Sequence, residues 1–480
     1  MDFLLGTDLV PLLSRIQFAG TVAFHFIFVP LSIGLGLIMA LNETRAYRSG
    51  KPEDKAATKL WVKIFTGTFV VGVATGITME FSFGTNWAEY SRFVGDIFGA
   101  PLAAEALFSF FLESVFLGVL VFGRNKVSPK FYMVSAWLVF FGATVSALWI
   151  LIANSWMQTP AGAELGAQGI ARLTDFWAAA LNPSIFARYT HTVNSALINA
   201  AFISMAIAAW YLLKGRNQDF AMKTLRTGAV VAIITGCAML YFAHASAVVV
   251  AEEQPTKFAM MEGMYGTEGS TDKEVADLYL GGWVDEANGK VLKPFAIPGG
   301  VSWLASWDGS TEYDTLYGLA ASGKYGSDFT AETVKDLPVN LVFQTYHIMV
   351  IMYGLIMICA ILALIFSFGK GKIAEMKWLQ RLLLIAPVFP FIAMQTGWIV
   401  AEVGRQPWIV YPAESSATLA PGVSMLTNDG VSAISHLEIL VTMVLFLVVY
   451  LFLFIAWGRV MTSFIKKGPV VEEEVAKGGE

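Results

Sequence analysis

Nine apolar runs dominate this chain, each about as long as the 20 residues a helix needs to cross a bilayer. They fall near 15–41, 60–83, 102–122, 131–153, 186–213, 223–250, 339–367, 379–401 and 434–457. Lipid leaves only helices or closed barrels as spanning structures, because backbone polar groups must find partners internally. Runs this long select helices, so the expected fold is an all-α integral membrane protein with nine transmembrane helices. Basic residues fall on alternate connections. Arg45, Arg48, Lys51, Lys55 and Lys59 mark the first, and Arg124, Lys126 and Lys130 the third. Lys214, Arg216, Lys223 and Arg226 mark the fifth, Lys370, Lys372, Lys377 and Arg381 the seventh, and Arg459, Lys466 and Lys467 the end. The positive-inside rule then sets the N-terminus outside and the C-terminus inside. The start, M-D-F-L-L-G-T-D, has no basic region or cleavage site and reads as mature sequence, not a signal peptide.

This divides the chain into spans 1–6 (1–250), one long outward loop (251–338), spans 7–9 (339–460) and a charged cytoplasmic tail (461–480). The loop is acidic and rich in Gly and Ser, which marks it as functional or disordered. A net charge of −5 with no basic block argues against a nucleic-acid partner. Cys237 and Cys359 lie apart in apolar runs, so neither a disulfide framework nor a zinc site is expected.

Ionisable groups inside apolar helices are costly and default to function. Glu402 follows Trp398 by four residues, on one helix face, before a break at Gly404–Arg405–Pro407. The plain alternative is an interfacial Glu402–Arg405 pair. His25, His191, His347 and Met349 lie in the first, fifth and seventh spans. Histidine and methionine are the usual axial ligands of haem iron, though a lone buried histidine is as often a hydrogen-bonded core residue. All of these, with Glu402, fall in the outer halves of their spans. His347 and Met349 are two apart and face different ways, which favours Met349 as a ligand. Glu105 and Glu113, eight apart in an α-helix, stand about 80° apart and roughly 12 Å along the axis. With Ser109 and Ser114 they form a candidate proton relay; the alternative is a pair of acids neutralised by burial. Glu80 needs a partner, an arginine or a haem edge, and Trp87 nearby suits an interfacial belt. Lys257 and Glu262, with Met260 and Met261, suit a quinol headgroup and tail; an ordinary charged loop is the alternative.

Four stretches together resemble the larger, haem-bearing subunit of cytochrome bd-type quinol oxidases: S-R-I-Q-F-A-G-T-V-A-F-H-F-I-F-V-P, T-M-E-F-S-F-G-T-N-W, F-F-L-E-S and G-W-I-V-A-E-V-G-R-Q-P-W. The resemblance implies that His191 and Met349 ligate a low-spin haem b. It implies that His25 and Glu402 serve a high-spin haem b and haem d, without deciding which serves which. Glu105, Glu113 and Ser114 would carry protons, Lys257 and Glu262 would bind quinol, and Trp398 and Arg405 would lie near the high-spin haems. Implied partners are a second membrane subunit, a very small third chain, menaquinol or ubiquinol, dioxygen and the lipid of a bacterial cell membrane. The implied activity is quinol oxidation outside, reduction of dioxygen to water, proton uptake from the cytoplasm and a proton motive force. His347 stands where some members carry arginine, and the outward loop matches the short-loop group. The rival readings are a bd-like oxidase with only b-type haem, a proton-coupled transporter, and a di-haem carrier that never meets oxygen.

Overall fold

The computed structural model describes residues 9–368, 372–412 and 419–471. The first eight residues, Lys370 and the acidic tail from residue 472 lie outside the described residues. Among those described, nine helices are long and apolar enough to cross a membrane. They are α1 (Leu9–Ser49), α2 (Pro52–Thr85), α3 (Ala88–Phe122), α4 (Pro129–Gln158), α5 (Ile185–Leu213), α6 (Gln218–Glu253), α7 (Val339–Phe368), α8 (Lys377–Val403) and α9 (His436–Lys467). Each contains one of the expected apolar runs. α1 has 41 residues, roughly 60 Å of helix, so it projects well past the ~30 Å hydrocarbon core.

Between helices in lipid, close packing replaces the hydrophobic effect, and small residues allow it. α5 sits innermost: Ala196, Ala200, Ala201, Ala208 and Ala209 are fully buried. Gly34 of α1 meets it backbone to backbone; a Cβ there would lie 2.3 Å from the Ala196 carbonyl oxygen. α9 is the opposite case, with Val441, Val444, Leu447, Val448 and Phe452 all turned outward. At the end opposite the long loop, ion pairs made to buried acids join the helices. Arg124 reaches Glu43 at 3.2 Å and Thr58 at 2.7 Å, and Lys223 reaches Asp54 at 2.9 Å.

The long connection between α6 and α7 is a packed unit, not an open loop. A short helix, Pro255–Glu262, leads into a two-stranded antiparallel hairpin, β1 (Leu278–Asp285) and β2 (Lys290–Ile297). Three further two-stranded ribbons lie outside the spans, so the all-α expectation holds for the spans only. Phe258, Met260, Met261, Leu316, Phe329, Phe343 and Trp408 form a core joining this unit to α7 and to the segment after α8. The polarity of the loop sequence comes from its surface; its buried apolar residues are spread too thinly along the chain to announce that core.

Candidate functional site

One helix segment, Val388–Val403 of α8, carries Trp398 and Glu402 and meets α1, α4, α5 and α7. Trp398 meets Phe26 of α1 edge to face, ring centroids 5.1 Å apart, one residue from His25. Gln395 donates to the Ala23 carbonyl at 3.0 Å. Gly397 faces Met349 of α7: a Cβ there would lie 3.0 Å from the methionine sulfur. His25 is fixed by a 2.8 Å hydrogen bond between Nδ1 and Thr75 Oγ1 of α2, and its Cε1 lies 3.2 Å from where Gly76 would carry a Cβ. With Nδ1 engaged, Nε2 is the nitrogen left to act. His347 takes the other side of α7. It lies against the Phe343 ring at 4.1 Å, with Nδ1 2.8 Å from the Phe343 carbonyl oxygen. The two-residue spacing therefore separates His347 from Met349 as expected.

Glu402 ends α8 inside a polar cluster. Arg405 donates to Oε2 at 2.6 Å, Asn154 donates to Oε1 at 3.1 Å, and Arg188 of α5 lies 3.9 Å away. The Glu402–Arg405 pair of the plain reading is present, with Arg405 buried. Arg188 sits one turn before His191. Gln158, at the end of α4, links this cluster to the loop unit. Its amide nitrogen donates to Glu402 at 3.4 Å, while its oxygen accepts from Lys257 Nζ and from Gln254 Nε2. Lys257 is fully enclosed, its stem against Gly404. Burial first, then nearby Arg188, holds its amine well below the usual lysine range. Glu262 is also buried, and burial pushes its carboxyl up to about 8.

Several buried polar atoms here have no hydrogen-bond partner among the described residues: His191 Nδ1, Arg188 Nε, Arg405 Nε and Nη1, and both Glu262 carboxyl oxygens. Such atoms are rare in native interiors and call for an explanation.

The acids of α3 correct one expectation. Residues Glu105–Phe110 form a π-helical turn. A π turn holds about one residue more than an α turn, so eight residues rotate through roughly 700°. The two acids come within about 20° of alignment, not 80°. Both consequently face α4. Glu105 accepts from Ser146 at 2.8 Å, and Glu113 packs on Gly142, where a Cβ would come within 2.7 Å of its Cγ. Ser109 is buried with them, but Ser114 is exposed on the outside of the bundle, so the two serines do not share one side. Glu80 is exposed, within electrostatic reach of Glu105, and no arginine is bonded to it among the described residues. Trp87 is buried against Phe18.

Arg188, Asn154, Gln158, Gln254 and Ser146 were not singled out from sequence. A lone Asn, Gln or Ser in an apolar run is common, and Arg188 lies at a helix start where basic residues ordinarily anchor. Only its place one turn from His191 hinted at more.

The cytochrome bd terminal oxidase subunit I family matches residues 13–469. The cytochrome bd ubiquinol oxidase subunit 1 of Bacillus subtilis (strain 168) is 37% identical over 423 residues, covering 86% of both chains. The cytochrome bd-II ubiquinol oxidase subunit 1 of Escherichia coli (strain K12) is 35% identical over 467 residues, 85% of this chain and 90% of that one. A solved bd oxidase from Geobacillus thermodenitrificans superposes with a TM-score of 0.82 at 26% identity, covering 96% of this chain and 99% of that chain. With nine candidate spanning helices among its described residues, a matched fold and a match that spans nearly its whole length, this chain belongs to the cytochrome bd terminal oxidase subunit I family.

Proposed function

We propose that this chain is the haem-bearing subunit of a respiratory oxidase that takes electrons from a membrane quinol and reduces dioxygen to water. His191 and Met349 would hold a low-spin haem b; His25 and Glu402 would serve a high-spin haem b and a haem d, in an order left open. The residues present suit such groups. His191 has a buried nitrogen without a partner, Gly76 and Gly397 clear space beside His25 and Met349, and Arg188 and Arg405 keep buried N–H groups unpaired, as acidic propionates would require. Bound there, the haems supply the electron transfer and oxygen chemistry that side chains cannot.

The chain's own residues do the rest. Lys257 and Glu262 border the site where a quinol headgroup would bind. Lys257, held toward its neutral form, offers a hydrogen bond without a large desolvation cost, and the ionised fraction of Glu262, which grows as pH rises toward 8, accepts a proton. Gln158 ties that pocket to Glu402. Glu113 and Glu105 of α3, aligned toward α4 and its Ser146, move protons toward the oxygen site from the opposite face. Protons taken from inside and released outside would generate a proton motive force. This reading sets the loop side outside, puts the chain in a bacterial cell membrane in the short-loop group, and pairs it with a second membrane subunit and a very small third chain.

The observation that supports the reading is that one segment of α8 carries Glu402 and touches Met349, Phe26 beside His25, and Arg188 one turn from His191. Reduced-minus-oxidised and pyridine haemochrome spectra of the purified oxidase test it. A chlorin band in the red and two b-type haems are expected. His191→Ala and Met349→Leu should each remove the low-spin signal and leave the high-spin bands. Wild-type spectra in either variant would overturn the ligand assignment, and a colourless protein would overturn the whole reading.

A further inference from the structure

A two-stranded antiparallel ribbon normally buries one face and offers a polar face to water. The β1–β2 hairpin departs from this. Its inner face, with Tyr279 and Val284, is buried in the loop unit's core. Its outer face is also apolar: Leu280, Trp283, Leu292, Phe295 and Ile297 are between 44% and 61% exposed. Gly300 packs on Leu278, which brings the next helix, Gly300–Ser306, alongside and extends the surface. There Trp303, Leu304 and Trp307 are 50%, 43% and 70% exposed. Patches of this kind on a protein surface mark a partner.

The depth of the patch says which partner. Gly282 of the hairpin accepts a 2.7 Å hydrogen bond from Gln344, more than a turn into membrane-spanning α7. Val284 N–H donates to Asn340 at 3.1 Å, and Glu286 accepts from the Asn340 N–H at 2.7 Å, pinning the hairpin against the start of α7. At the other end, Trp307 lies 6.2 Å from His244 of α6, centroid to centroid. His244 precedes the last residue of α6 by nine positions, about 13 Å along the axis. The apolar surface is thus fastened at both ends to spanning helices below their tips. It continues their lipid-facing sides, where Tyr241 and Leu341 are exposed. The polar residues Glu286, Asn288, Lys290, Asp308 and Ser310 gather at its turns. Three tryptophans beside a polar rim match the preference of that ring for the headgroup boundary.

We propose that the outer face of the hairpin and the Trp303–Trp307 segment form one apolar apron seated in the headgroup region of the bilayer beside α6 and α7, with phospholipid as its partner. The connection then rests on the membrane surface instead of standing in water.

The test uses the assembled oxidase in phospholipid nanodiscs, in a Cys237→Ser, Cys359→Ala background. A bimane label is placed at Trp283→Cys, at Trp307→Cys and, as a water-facing control, at Ala287→Cys in the hairpin turn. Leu292→Cys, opposite Trp283 in the ribbon, reads the same face if either tryptophan variant fails to assemble. Quenching by doxyl phosphatidylcholine should be at least threefold stronger at 283, 292 and 307 than at 287, and iodide quenching at least threefold weaker. Iodide quenching equal to that at 287 would overturn the proposal. Protection from both quenchers would overturn it too, because a protein would then cover the face.

Discussion

At the scale of single residues, Glu262 holds the most testable chemistry. Burial raises its carboxyl to about 8. At neutral pH it therefore keeps its proton and cannot accept another. The fraction able to act as a base grows about tenfold per pH unit until it saturates near 8. Quinol oxidation measured as kcat/KM should climb from pH 6 to pH 8 and then level off. Glu262→Gln should be at least tenfold slower and lose that slope; a variant that keeps the wild-type profile would remove Glu262 from the chemistry. Little of this was legible beforehand. Glu262 in the sequence is one acid among many in a loop, and only the fold, which packs the loop unit into a core, makes it a buried one.

At the scale of the element, the π turn of α3 decides how the two acids are aimed. Inserting one alanine after Phe111, just beyond the π turn, adds one α step and should rotate Glu105 away from Glu113 by about 100°. Oxygen consumption should fall at least fivefold while haem content and the low-spin spectrum stay unchanged. Retained turnover would show that the alignment is incidental. The sequence displayed this helix and both acids but not the turn. E-A-L-F-S-F has no proline or glycine to betray a break, and an α wheel put Glu113 in the wrong quadrant. The nine spans were legible because lipid demands long apolar runs. The hairpin was not, because its short strands are apolar on both faces and lack the alternation that marks a ribbon, inside a polar connection. The divergence of His347 from Met349 followed from their spacing; their neighbours Phe343 and Gly397 did not.

For the whole molecule, the end opposite the loop carries the ion pairs, made to buried acids, that join α1, α2 and the α3–α4 connection. Glu43 is only 6% exposed. Arg124→Ala would leave it uncompensated, which costs on the order of 3–5 kcal/mol. A drop of several degrees in melting temperature, with unchanged haem spectra, is the expected result; an unaltered melting curve would mean water reaches Glu43. Arg124→Ala together with Glu43→Leu should recover most of the loss, because both charges are then gone.

The segment of α8 that meets α1, α4, α5 and α7 has one further consequence. Contacts at Gln395, Gly397, Trp398 and Glu402 occur along a single rod, within a length of roughly 10 Å. Their separations are dictated by peptide geometry, not by how the bundle is squeezed or stretched by its surroundings. Electron hopping rates depend steeply on distance, so centres gauged by one ruler should keep the same rates in thin and thick bilayers alike.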